Sequence, residues 1–130
     1  MITREEIRRI PELHKSIKRD KEQLLFLREK STSIPSLNDT ERVQTSPSNN
    51  VNKYSDEAAD LDKEIQRKEA ELLELQIKAG LFIKTVEDPL ARKILKLRYL
   101  KCYTWEEVAE LTGYVTRWVR LVEFKAIRDL

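Results

Sequence analysis

Residues 104–124 read TWEEVAELTGYVTRWVRLVEF and contain one of only two glycines in a chain of 130 residues. Thr104 and Glu107 have the spacing of a capping box, so a helix is predicted to start at Thr104. Val108, Ala109 and Leu111 are expected to form its buried side. Where two short helices cross steeply, the contact position must be small, and Ala109 meets that need. Four residues later the backbone must turn through a left-handed conformation, which Gly113 enters without steric cost. Val119 and Val122 then stand where a second helix would face inward. Val115 cannot cap that second helix through its side chain, so the cap falls to Thr116 or is missing.

Upstream, Asp88-Pro89 marks another helix start, with Asp88 as N-cap and Pro89 at the first helical position. LARKILKLRYL follows, with Leu90, Ile94, Leu97 and Leu100 directed toward a core. Trp105 is expected to pack between helices, while Trp118 is evenly balanced between core and interface. Cys102 is a filler residue, and His14 a surface one.

Further upstream, Tyr54, Ala58, Leu61, Ile65, Lys68, Leu72, Leu75, Ala79, Phe82 and Val86 step alternately by four and three. This is a coiled-coil seam, and only Lys68 in it is charged. A helix of that length reaches roughly 50 Å, and its apolar stripe needs cover. Ile10, Leu13, Ile17, Leu24 and Leu27 form a matching heptad with Asp20 interrupting it, most of it within residues 12–30. Either that segment folds back antiparallel or a second copy of the chain provides the cover, making a homo-oligomer through the heptad helix. Thr3 and Glu6 form a capping box, but Pro11 breaks an interior turn, so the helix is expected from about residue 12. Gly80 marks a bend or an end. Residues 31–50, rich in Ser, Thr, Asn and Pro, form a linker, with the Val43–Pro47 loop its least generic part.

The fold class predicted is all-α: a helical hairpin or coiled-coil region over 1–86 with its linker at 31–50, then a helix-turn-helix domain over 87–130. Charge is uneven. Residues 89–130 hold nine Lys/Arg against five Asp/Glu, whereas residues 31–88 hold seven against twelve. Any polyanion is therefore expected at the C-terminal end. No apolar run is long enough for a membrane span, no signal peptide opens the chain, and one cysteine fits a reducing cytoplasm. No phosphate loop, metal-ligand cluster or activated nucleophile is present, so neither a metal nor another cofactor is expected, nor an enzyme.

LARKILKLRYLKCYTWEEVAELTGYVTRWVRLVEFKAIRDL resembles region 4 of bacterial sigma factors: a helix ending in LRY, a T-x-E-E-V-A start, the turn glycine and a K-A-I-R-x-L close. The whole chain is similar to phage and prophage transcription regulators of the ArpU and RinA type, including a V-Q-x-S-like loop at Val43-Gln44-Thr45-Ser46. The resemblance implies a cytoplasmic regulator in a bacterial host that binds double-stranded promoter DNA, acting with RNA polymerase on late genes. It places Thr116, Arg117, Trp118, Arg120 and Leu121 in the major groove, with Arg117 and Arg120 suited to guanine or phosphate. Arg98, Lys101 and Thr104 correspond to backbone-contacting positions, and Lys125 with Arg128 adds diffuse charge. Two alternatives remain open: a small terminase subunit-like packaging protein, and a polymerase-binding protein without direct base readout.

Overall fold

A computed structural model describes residues 1–33 and 47–130. Among the described residues there are five α-helices and no strand: α1 (Arg4–Ser33), α2 (Pro47–Thr85), α3 (Pro89–Leu95), α4 (Trp105–Thr112) and α5 (Thr116–Ile127). A π-helical turn, Lys96–Leu100, continues α3. Val43–Ser46 lie outside the described residues, and Pro47 opens α2, where a missing N–H costs nothing. No described helix is long and apolar enough to cross a membrane.

The chain divides into two compact units. One comprises Met1–His14 with Ala70–Leu130, the other Lys15–Glu69. In the first, Ile2, Ile7, Ile10 and Leu13 bury against Leu75, Ala79 and Ile83 of α2, Leu95 and Tyr99 of the α3 region, and Ile127 of α5. A neighbouring cluster joins Ile94, Val108, Ala109 and Val119, with Leu90, Leu97, Tyr103, Trp105 and Val122 packed around it. The first cluster thus draws on both sides of residue 86. Ion pairs Arg9–Glu71 and Lys78–Glu6 show α1 and α2 running in opposite directions here.

In the second unit Ile17, Leu24, Leu27, Ala58 and Ile65 are buried. The two charged interruptions of the heptads meet: Lys68 Nζ lies 2.7 Å from Asp20 Oδ2 and donates to Ser16 Oγ at 2.6 Å. Each polar break in one helix is thereby compensated by the break in the other.

Three expectations need correction. α1 runs from Arg4 straight through Pro11. A mid-helix proline forfeits the bond to the carbonyl four residues back, at about 3 kcal/mol. The helix nonetheless continues because its first turns bury Ile7 and Ile10 completely. Its start is also closed reciprocally: the Thr3 hydroxyl accepts from the Glu6 amide at 3.1 Å, and Glu6 Oε1 accepts from the Thr3 amide at 3.0 Å. Gly80 does not end α2, which runs through it to Thr85. Leu111 is 53% exposed, because the helical period turns it about 60° away from Val108, outside the arc that Val108, Ala109 and Thr112 share.

Candidate functional site

The site is built on α4, the corner after it and α5. The predicted capping box is formed: Thr104 Oγ1 accepts from the Glu107 amide at 3.2 Å, and Glu107 Oε1 accepts from the Thr104 amide at 2.9 Å. α4 ends at Gly113, with φ of 79°, and the Gly113 amide returns to the Ala109 carbonyl at 2.9 Å. This αL ending suits glycine, since L-residues pay for that conformation. α5 then begins at Thr116. Its N-cap is Val115, without a side-chain cap, so Thr116 does not take over that role. The amides at the head of α5 therefore carry no side-chain oxygen.

Around α5, Val119, Glu123 and Ile127 are buried, with Thr116, Val122 and Ala126 half-buried. The opposite arc bears Arg117, Trp118, Arg120, Leu121, Phe124 and Lys125, all exposed. Glu123 is the one carboxylate in α5, and it points inward, where the Tyr99 hydroxyl donates to its Oε2. The outer arc of α5 consequently carries Arg117, Arg120 and Lys125 with no acidic group among them, and Arg128 follows the helix beside the exposed Asp129. Burial, reinforced by the negative charge of Glu123 and their hydrogen bond, pushes the Tyr99 hydroxyl far above its ordinary pKa, so it stays protonated as a donor.

The remaining expected site residues fall into two groups. Lys101 and Thr104 are exposed, although the Thr104 hydroxyl is already used by the cap. Arg98 is engaged within the fold: its Nη1 donates to the Tyr103 carbonyl at 2.9 Å, and its guanidinium lies 4.6 Å from the Trp105 ring centre. Arg120 approaches the same ring at 5.9 Å. Trp105 thus faces two guanidiniums, contacts beyond the packing role expected for it.

Two further features escaped the sequence reading. Phe124 is 52% exposed and extends Trp118 and Leu121 into an apolar ridge between the cations. Gln76 of α2 donates from Nε2 to the Tyr99 carbonyl at 3.0 Å and to the Leu100 carbonyl at 3.3 Å, closing the end of the π-helical turn. Cys102 follows in a left-handed conformation, φ 58°, and burial raises its thiol pKa. No group of three or more His, Cys, Asp or Glu placed to hold a metal occurs among the described residues.

No family model, curated protein or solved structure matches the chain.

Proposed function

We propose that the chain is a phage-type DNA-binding transcription regulator, in which α4, Gly113 and α5 act as a sigma region 4-like helix-turn-helix on promoter DNA. The observation that carries this reading is the inward turn of Glu123, which leaves the exposed face of α5 with three cations and no carboxylate. A duplex attracts such a face through its phosphates. The left-handed corner at Gly113 supports it, because that corner sets α5 across α4 with its outer arc free to enter a major groove. In this reading Arg117 and Arg120 contact guanine edges or phosphate, Lys125 and Arg128 follow the backbone, and Lys101 lies beside it. Arg98 acts indirectly, through the ring that Arg120 also approaches. The antiparallel α1–α2 pair is the helical hairpin that serves as an assembly surface.

The test is binding of the full chain to promoter duplexes across a salt series. Affinity should fall steeply as salt rises. Arg117→Ala and Arg120→Ala should each cost about 1–3 kcal/mol, whereas Lys63→Ala, on the exposed side of α2, should cost nothing. Salt-insensitive binding, or full affinity in both arginine variants, would overturn the reading.

The apolar ridge of Trp118, Leu121 and Phe124 favours a second reading, in which α5 binds a protein such as RNA polymerase. Alanine at those three positions would then abolish polymerase capture, whereas Arg117→Ala and Arg120→Ala would leave it in place.

A further inference from the structure

The heptad seam of α2 faces α1, yet the opposite side of α2 is also apolar. Leu73, Ile77 and Leu81 follow at four-residue steps and are 59%, 58% and 61% exposed. They lie on one line along about 12 Å of helix. Isolated exposed leucines need no explanation, but three large aliphatics aligned on one face form a patch of the kind that marks an interface. Ala70 and Lys84 stand one turn beyond each end of that line.

We propose that a second copy of this chain docks antiparallel on this face, about a two-fold axis at Ile77. Three observations select that occupant. The stripe is self-complementary when reversed: Leu73 meets the partner's Leu81, and Ile77 meets its own counterpart, as an isologous contact requires. The charges reverse with it. Glu74 lies toward the N-terminal end of the stripe and Lys84 beyond its C-terminal end, so the antiparallel arrangement brings each Glu74 toward the partner's Lys84 at both ends. A parallel arrangement would instead set glutamate beside glutamate. Finally, a Cβ at Gly80 would meet nothing within 4 Å. That bare stretch of helix forms a notch on the flank of the stripe, on the side where the partner's Leu73 arrives. The contact is separate from α5 and does not depend on what α5 binds.

Sedimentation equilibrium on the full chain tests this, over concentrations up to about 100 µM, above the micromolar affinity at the weak end for standard interfaces. The expected limiting mass is twice the 15.4 kDa of one chain. Ile77→Glu sets two carboxylates face to face across the axis and should weaken dimerisation by about 30-fold or more. Circular dichroism should show its helix content unchanged, since the replaced side chain is largely in solvent. Glu74→Lys and Lys84→Glu should each weaken the dimer, and the double variant should recover it. A mass of one chain throughout, a larger assembly, a dimer indifferent to Ile77→Glu, or a double charge variant weaker than both single ones would overturn the proposal.

Discussion

Gly113 and Gly80 invite the same substitution with opposite outcomes. At neither position would a Cβ meet any atom within 4 Å, so steric overlap contributes nothing at either. Backbone conformation alone decides. Gly113 sits at φ 79°, where an L-residue pays about 1–2 kcal/mol. Alanine recovers about 0.4–1 kcal/mol by restricting the unfolded chain, which leaves Gly113→Ala destabilising by about 1 kcal/mol. Gly80 lies inside α2 in ordinary helical conformation, where alanine gains about 0.5–1 kcal/mol. The two variants should therefore stand about 1.5–2 kcal/mol apart. Urea denaturation followed by helical circular dichroism measures this, at dilution sufficient to keep the chain monomeric because Gly80 borders the proposed dimer contact. Gly113→Asn should fall between wild type and Gly113→Ala, since asparagine tolerates the left-handed region better. If Gly113→Ala proved as stable as Gly80→Ala, the left-handed corner would not be what holds α4 against α5.

Pro11→Ala should stabilise the chain by about 2 kcal/mol, the roughly 3 kcal/mol cost of a mid-helix proline less the unfolded-state entropy that proline removes; a loss of stability in urea melts would show that its ring packing matters more. Tyr99→Phe leaves the buried Glu123 carboxylate without its donor and should cost at least about 1–3 kcal/mol. The raised Tyr99 pKa also has a direction. The hydroxyl contributes fully below its ordinary value of 10.0, and its contribution is lost as pH rises above that toward the folded value. The wild-type melting temperature should therefore drop above about pH 10 more steeply than that of Tyr99→Phe; equal slopes would refute the buried donor. Asp20→Ala should destabilise by stranding Lys68, while Asp20→Leu with Lys68→Leu should match or exceed wild type, and a double variant worse than Asp20→Ala would count against the compensation. Thr104→Ala should cost about 1 kcal/mol through loss of the cap, read from the same melts.

Where structure depends on neighbours in sequence, the sequence announces it. The Thr104–Glu107 box and the Ala109–Gly113 interval are local, and both were legible. So was the seam of α2, because burial repeats along a helix. Pro11 shows the limit of local rules: its cost is real, but the full burial of Ile7 and Ile10 outweighs it, and that burial depends on α2 and α5. The Asp20–Lys68 pair was visible only as two defects, since nothing in either heptad says that they meet. Tyr99 and Glu123 were missed for a related reason. Tyr99 and Glu123 lie 24 residues apart, and only the packed fold gives an ordinary surface-looking glutamate a buried partner. For the outer arc of α5, Arg117 and Arg120 were singled out by the family resemblance, whereas the absence of an acidic group between them and Lys125 depends on that inward glutamate.

The first cluster has a consequence for how this protein can be cut and exchanged. Ile127 closes α5, yet the side chains around it include Ile2, Ile7, Ile10 and Leu13, and the Arg4 guanidinium donates to the Arg128 carbonyl. Grafting the last forty-odd residues onto another scaffold would leave Leu95, Tyr99 and Ile127 facing water. A working cassette must carry residues 1–14 and the later turns of α2 with it. The α5 face is thus held by side chains from the opposite end of the chain, and recombination that separates the two would destroy it.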